Sequence, residues 1–96
     1  MSAYIIAEVK VNDTELYEQY RTQVQPTLDK YGGRFLVRGG DIEALEGEWN
    51  PARLVVLEFP SADDARAWWA SDEYAGPKAL RQQAAATRMI LAQGVD

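Results

Sequence analysis

Apolar residues along this chain switch between the spacing of a strand and the spacing of a helix, and this order constrains the fold more than any other feature. Residues 3–11 are rich in β-branched and aromatic side chains and show no helical stripe. They predict a strand with Ile5, Ala7 and Val9 on one face. The opposite face, which includes Ile6, is also mostly apolar, so we expect both sides of the sheet to be at least partly covered.

A helix is predicted to follow, with Asn12 as its N-cap. Its apolar positions recur at three- and four-residue spacing, which gives one buried stripe: Tyr17, Tyr20, Val24, Leu28 and Tyr31. Pro26 lacks an amide donor and clashes with the preceding turn, so we expect a kink or break near residues 22–25. Gly32 is predicted to end the helix.

The rest of the chain repeats this alternation. A second helix is predicted to begin after Ser61, where Asp64 supports the cap, and a short helix is predicted to open at Gly76-Pro77. Residues 41–45 are expected to extend the second strand beyond a bend at Gly39-Gly40. The remaining predicted strands are residues 34–38, 53–59 and 87–93. The short helix is predicted over residues 77–84.

The resulting order of strand, helix, strand, strand, helix, strand predicts one α+β domain over residues 1–96. Its expected architecture is a ferredoxin-like βαββαβ fold, with a four-stranded antiparallel sheet and the helices on one face. The other face would then expose an apolar surface that includes Ile6, Leu54, Val56 and Ile90. A second copy of the chain is the simplest cover, so we expect a homodimer that pairs sheet faces.

Composition excludes several classes of function. The net charge is -5, and aliphatic residues occupy the third strand where an RNA-binding sheet would carry aromatics, so nucleic acid and anionic membranes are not expected partners. Cysteine and histidine are absent, and no phosphate-loop or dinucleotide motif occurs, so we expect no metal and no cofactor. The first ten residues do not resemble a secretory signal, so a cytoplasmic protein is expected.

Four arginines fall in predicted strands, where charge is usually sparse: Arg34, Arg38, Arg53 and Arg88. The planar guanidinium binds carboxylate or phosphate with two hydrogen bonds, so one or two of these arginines could anchor an anionic ligand. The alternative is pairing with strand glutamates or across a dimer interface. Arg38 and Arg53 are the better anchor candidates because they flank the turn-rich end of the predicted hairpin.

Aromatic residues supply a second candidate feature, because an aromatic wall with a few polar groups suits a small organic ligand. Ordinary core packing is the alternative. Trp68 and Trp69 are adjacent, so one of them must lie at an edge. Ser71 and Tyr74 could direct hydroxyls into a cleft, although capping is the commoner role for such a serine. Proton transfer would need a tyrosine or a carboxylate with a raised pKa, such as Glu46.

Three segments and several later residues resemble the domain-of-unknown-function family 1330. The segments run from Tyr31 to Gly40, from Leu45 to Trp49 and from Arg53 to Ser61. The later residues that fit the same pattern are Trp68, Ser71, Glu73, Tyr74 and Arg81. That family is similar to the dimeric α+β barrel superfamily, in which two ferredoxin-like subunits pack sheet against sheet.

The resemblance implies a shared cleft between helices and sheet. Its walls would be built from Arg38, Glu46, Trp49, Arg53, Trp68, Ser71, Tyr74 and Arg81. Relatives in the superfamily include cofactor-independent monooxygenases, isomerases and cyclases, so the fold does not select a reaction. We therefore expect a homodimeric protein that binds a small anionic or aromatic metabolite, with a cofactor-independent enzyme acting on such a metabolite as the alternative.

Overall fold

A computed structural model describes residues 1–95 as a four-stranded antiparallel sheet with helices packed on one face. The strands are β1 (Ala3–Val11), β2 (Arg34–Arg38), β3 (Leu54–Phe59) and β4 (Ala85–Gln93). The helices are α1 (Thr14–Tyr31), α2 (Ala62–Trp69) and α3 (Asp72–Ala84). The strand order is β2-β3-β1-β4. The predicted ferredoxin-like α+β fold is confirmed.

The inner face of the sheet and the helices enclose the core. Alternate residues of β1, including Ile5, Ala7 and Val9, are buried, as their spacing predicts. The stripe of α1 packs against them through Val24 and Leu28. Since successive strand residues point to opposite faces, the same alternation directs the other half of β1 outward.

The outer face carries the four apolar residues that the sequence places there. Ile6 lies opposite Val56 on one neighbouring strand and opposite Ile90 on the other. Ile90 is 62% exposed, whereas Leu54, Ile6 and Val56 are half-buried. The protomer therefore presents an apolar strip to its surroundings across three strands.

Helix α1 differs from its sequence prediction in two details. Asp13, and not Asn12, is the N-cap, and its carboxylate accepts a hydrogen bond from the Leu16 amide at 3.0 Å. Pro26 does not break the helix. Pro26 and the Thr22 residue one turn before it are exposed, so water can satisfy the freed carbonyl. Gly32 ends the helix as predicted, at a left-handed φ of 74°.

Two further boundaries move. Helix α3 begins at Asp72 and not at Pro77, because the Ser71 hydroxyl accepts a hydrogen bond from the Tyr74 amide at 3.1 Å and caps the earlier start. Residues 41–45 do not extend β2; they belong to an exposed loop that joins β2 to β3. The predicted bend is present at Gly39, and a separate register irregularity lies earlier, between Phe35 and Val37.

Glu73 connects the first turn of α3 to the end of α1. Its carboxylate accepts hydrogen bonds from the Lys30 ammonium and, at 3.0 Å, from the Tyr31 hydroxyl. The bond from Lys30, with further donors, lowers the pKa of Glu73 to about 2.

Within residues 1–95, no helix has the length and apolar character that crossing a membrane requires.

Candidate functional site

A cavity of about 30 Å³ lies between α1 and the inner face of the sheet. That is room for about two ordered water molecules. The floor is formed by strand residues that alternate inward: Ile5, Ala7, Val9, Val55, Leu57 and Met89. The alternation that builds the core therefore also builds the apolar floor of this cavity.

Aromatic side chains form the walls of the cavity. Tyr17 and Tyr20 come from α1, Phe35 from β2 and Trp68 from α2. Trp68 is fully buried, and its indole nitrogen donates a hydrogen bond to the Thr27 hydroxyl at 3.0 Å. Because Trp68 points inward, the adjacent Trp69 of α2 lies at the surface.

Trp69 is 44% exposed, so the prediction that only one of the adjacent tryptophans points inward is confirmed. The ammonium of Lys78 lies 3.8 Å from the centre of the Trp69 ring and donates to its backbone carbonyl at 2.9 Å. Trp69 thus faces a separate apolar groove between α2 and β4, and not the cavity behind Trp68.

Four arginines line the cavity, and three of them lie close together: Arg21 from α1, Arg38 at the end of β2 and Arg53 just before β3. The Arg38 guanidinium lies 4.1 Å from the centre of the Phe35 ring, and one of its nitrogens donates to the Arg21 carbonyl at 3.3 Å. Burial and the charges of Arg21 and Arg53 lower the pKa of Arg38. The three cations therefore repel one another across this part of the site.

The cluster has little compensating negative charge. Arg21 pairs with Glu18 at 3.0 Å, but within residues 1–95 neither Arg38 nor Arg53 forms an ion pair. The Arg53 Nε atom is buried and has no hydrogen-bond partner among residues 1–95. The Arg21 Nε atom is buried and unpartnered as well. A bound anion would supply the missing acceptor.

The other two strand arginines are structural. Arg34 lies opposite Glu58 in the register and donates to its carboxylate at 2.7 Å. Arg88 lies opposite Glu8 and donates to its carboxylate at 2.8 Å. Both pairs lie across neighbouring strands of the outer face, away from the cavity.

Gly39 provides the surface on which the Arg53 guanidinium lies. A Cβ atom at Gly39 would lie 2.4 Å from the Arg53 Cζ atom, and Gly39 has a φ of 74°. The Arg53 Cζ atom also lies 5.5 Å from the centre of the Tyr17 ring. The guanidinium is thus held between backbone and aromatic ring, with no side chain at Gly39 to displace it.

A buried polar network connects two residues that line the cavity, Tyr20 and Arg81, through Tyr74 behind it. The Tyr20 and Tyr74 hydroxyls are 3.0 Å apart, and the Arg81 Nε atom donates to the Tyr74 hydroxyl at 3.3 Å. Tyr74 is fully buried, Arg81 is 5% exposed, and Ser71 caps the helix that carries both. Burial, followed by the proximity of Tyr74, raises the pKa of Tyr20, which keeps its hydroxyl protonated.

The structure brings together only part of the residue set expected from the sequence. Arg38, Arg53, Trp68 and Arg81 line the cavity. Ser71 and Tyr74 stand behind it through the capping and hydroxyl contacts of α3.

The last two of the expected residues lie elsewhere. Glu46 and Trp49 belong to the loop between β2 and β3, and the Trp49 indole nitrogen donates to Glu8 on the outer face at 3.3 Å. Both line a shallow groove that also includes Leu54 of the outer face. Of residues 1–95, those that line the cavity include no carboxylate, so Glu46 is not placed to act as a base there.

Sequence reasoning did not single out Arg21, and it treated Tyr20 only as one of several aromatic residues. Arg21 follows directly after Tyr20 on α1, and its only sequence signal was a charge beside an apolar stripe. Such a charge is ordinarily solvated.

In the part of the chain that the structure describes, no three acidic side chains come together as a metal site would require.

The family model described as Domain of unknown function (DUF1330) matches residues 2–95. A solved protein of unknown function from Rhodopseudomonas palustris is similar, with a TM-score of 0.77 and 17% identity over 99% of this chain and 83% of that one. SnoaB, a cofactor-independent oxygenase from Streptomyces nogalater, has a TM-score of 0.67 and 11% identity over 99% of this chain and 94% of that one.

A dimeric ferredoxin-like protein of unknown function from Thermobifida fusca is also similar. Its TM-score is 0.58 and its identity 22%, over 97% of this chain and 92% of that one. At these identities the solved structures establish a shared fold alone. Among proteins with curated functions, none matches this chain.

Proposed function

This chain belongs to the DUF1330 family, and we propose that it binds a small anionic metabolite with a flat apolar body in the cavity between α1 and the sheet. The anionic end would bind to Arg38 and Arg53. The aromatic walls would contact the apolar body. This arrangement has the apolar lining and the few convergent polar groups of a small-molecule site.

The observation that carries the proposal is the arginine cluster without matching acids. The buried Nε atom of Arg53 has no partner in the part of the chain that the structure describes, and Arg38 has a pKa lowered by burial and by two neighbouring cations. A buried donor without a partner costs roughly 1–3 kcal/mol, and more if it is charged. A carboxylate or phosphate would satisfy this donor and relieve the repulsion among the arginines.

Binding requires the cavity to widen. Its volume of about 30 Å³ is far below the roughly 300–1,000 Å³ of typical ligand pockets. Arg38 is exposed, and Arg53 follows the exposed loop of residues 39–52. Rotation of these two side chains would open the cavity while the buried strands and Trp68 remain in place.

Benzoate tests the proposal because it combines a carboxylate with a flat apolar ring. Titration calorimetry should show binding to the wild-type chain. Arg53→Gln should weaken it by about 10- to 100-fold, the effect of losing a charge-assisted hydrogen-bonded pair. Arg34→Gln is the matched control, since Arg34 is a strand arginine already paired with Glu58, and it should leave the affinity unchanged.

Equal losses in Arg53→Gln and Arg34→Gln would show that general surface charge, and not the cavity, attracts the carboxylate. A wild-type chain that binds no carboxylate or phosphate across a metabolite panel would refute the proposal. The panel can be screened by melting temperature, since a ligand at about 100 times its Kd adds about 2.7 kcal/mol of stability.

A cofactor-independent enzyme is the second candidate, favoured by the shared fold with SnoaB and by a tyrosine hydroxyl at the cavity. The raised pKa of Tyr20 keeps its hydroxyl protonated at neutral pH, so it would act on a substrate as a hydrogen-bond donor and not as a base. Turnover of a bound metabolite by the wild-type chain, with loss in Tyr20→Phe, would favour this candidate. Affinity without turnover across the panel would favour binding alone.

We also propose that the outer face pairs with the same face of a second copy. Support comes from the half-buried and exposed apolar residues of three strands and from the dimeric relative of the same fold. Ile90→Glu should give a monomer by light scattering, whereas Ala79→Glu, at an exposed position of α3 on the helix side of the sheet, is the control. A wild-type monomer would refute the pairing.

The expected cytoplasmic location and the exclusion of nucleic acid remain predictions.

A further inference from the structure

The hydroxyl network behind the cavity has a direction. Tyr74 is fully buried, and its oxygen accepts the hydrogen of the Arg81 Nε atom. Within residues 1–95, the other polar contact of this oxygen is with the Tyr20 hydroxyl at 3.0 Å. Either hydroxyl can donate across this contact. Donation from Tyr20 would leave the Tyr74 hydrogen without an acceptor in the buried interior, whereas donation from Tyr74 leaves the free hydrogen on Tyr20, which lines the cavity, so the second direction is favoured.

This direction leaves the Tyr20 hydrogen available. The Tyr20 oxygen accepts from Tyr74, and no other hydrogen-bonding contact of this hydroxyl occurs among the described residues. Tyr20 lines the cavity, whereas Tyr74 stands behind it. The chain of hydrogen bonds therefore runs from Arg81 through Tyr74 to Tyr20 and ends in a donor that only an occupant of the cavity can satisfy.

The surroundings of Tyr20 keep it a donor. Burial raises its pKa, so the hydroxyl remains protonated throughout the neutral range. Arg81 is nearly buried and forms no ion pair within residues 1–95, so its positive charge polarises the hydroxyl chain toward the cavity. The arginine cluster and this hydroxyl thus offer two separate polar contacts to one ligand.

We propose that Tyr20 is a specificity-determining residue whose hydroxyl donates to an acceptor oxygen of the ligand. This inference rests on the proposed function and narrows its ligand class. The ligand would be a carboxylate that binds Arg38 and Arg53 and carries a second oxygen, as a carbonyl or ether, on its flat body. A plain aromatic carboxylate would leave the Tyr20 donor unsatisfied.

The test uses two pairs of probes that differ only at the acceptor: 3- and 4-acetylbenzoate against 3- and 4-isopropenylbenzoate. An isopropenyl group has nearly the shape of an acetyl group but no oxygen. The wild-type chain should bind one acetyl isomer about three- to tenfold more tightly than its isopropenyl partner, the effect of one neutral hydrogen bond.

Tyr20→Phe should abolish this preference and leave the affinity for isopropenylbenzoate nearly unchanged. Tyr4→Phe is the control because Tyr4 lies on the outer face, and it should keep the preference. Equal affinities of the wild-type chain for both members of each pair, or a preference that survives Tyr20→Phe, would overturn the role of Tyr20. In either case, loss of binding in Arg53→Gln would still support the proposed function.

A crystal structure with the preferred acetylbenzoate gives a readout that does not depend on the folding of Tyr20→Phe. The acetyl oxygen should lie within hydrogen-bonding distance of the Tyr20 hydroxyl, with the carboxylate at Arg38 and Arg53. A reversed ligand, or an acetyl oxygen that contacts other groups, would overturn the inference. If no probe binds the wild-type chain, the proposed function fails for aromatic carboxylates and this inference fails with it.

Discussion

Replacing Tyr74 with phenylalanine removes one oxygen atom from the centre of the buried network and leaves the ring in place. The ring lies 3.9 Å from the centre of the Trp68 ring and 6.4 Å from that of Tyr20, so the apolar packing should survive. The lost oxygen makes one hydrogen bond to Tyr20 and one to the charged guanidinium of Arg81. A neutral bond contributes about 1 kcal/mol and a charged one about 1.5–3 kcal/mol.

The expected loss is therefore about 2.5–4 kcal/mol in the free energy of unfolding, measured by urea denaturation at neutral pH. Tyr31→Phe is the control, since its hydroxyl bonds Glu73 at the surface, and it should cost less than about 1 kcal/mol. A double-mutant cycle of Tyr74→Phe with Arg81→Met should give a coupling energy of about 1–2 kcal/mol.

A loss below about 1 kcal/mol in Tyr74→Phe would refute the reasoning, because it would mean that water replaces the missing oxygen and that the network is not buried. A coupling energy near zero would show that Arg81 does not depend on Tyr74. In that case the polarised hydroxyl chain that leads to Tyr20 would lose its cationic end.

Two further predictions concern acid stability and the support of Arg53. The Lys30 contact lowers the pKa of Glu73 to about 2. The stabilisation that this contact gives the folded chain is therefore fully present above pH 4.5, the ordinary pKa, and is lost as the pH falls toward 2. Melting curves of Glu73→Gln should show less of this acid sensitivity. Gly39→Ala should displace the Arg53 guanidinium and strain a left-handed residue, which lowers both benzoate affinity in calorimetry and stability, the latter by about 1 kcal/mol. Gly40→Ala, in open space, should change neither, and equal effects in the two variants would contradict the close approach.

The fold was predictable because local signals agreed with one another. The alternation of β1, the stripe of α1 and the cap at Ser61 each predict the element that is observed. The two helix starts that moved share one cause, since two candidate start residues lay close together and only the three-dimensional contacts chose between them. Both Ser71 and Pro77 were possible starts for α3. The helix begins after Ser71 because the Ser71 hydroxyl accepts a hydrogen bond from the free amide of Tyr74.

The candidate site was only partly predictable because strand register decides which charges meet. Four strand arginines and several glutamates are visible in the sequence, but nothing in their spacing states which pairs lie opposite each other. The register sets Arg34 against Glu58, whereas it sets Arg38 against the apolar Val55. Arg38 therefore has no ion pair among the described residues, for a reason that lies in the register and not in the composition.

The loop and the hydroxyl network were hidden for different reasons. A loop has no period, so the sequence did not state that Trp49 would turn to the outer face and contact Glu8. Tyr20 lies on the apolar stripe of α1, where an aromatic ring ordinarily only packs. Its hydroxyl partner is 54 residues away in the chain, so only the folded structure distinguishes Tyr20 from the other residues of the stripe.

The acidic chain and its cationic cavity are compatible because charge acts over a short range. At physiological ionic strength, interactions between exposed charges fade over about 8 Å, so a small anion at the cavity responds to Arg38 and Arg53 more than to the net charge of -5. A polyanion must extend beyond the site and meet the acidic surface. If the cavity binds an anion as proposed, the same arginines would select small anions over nucleic acid without any contact dedicated to that discrimination.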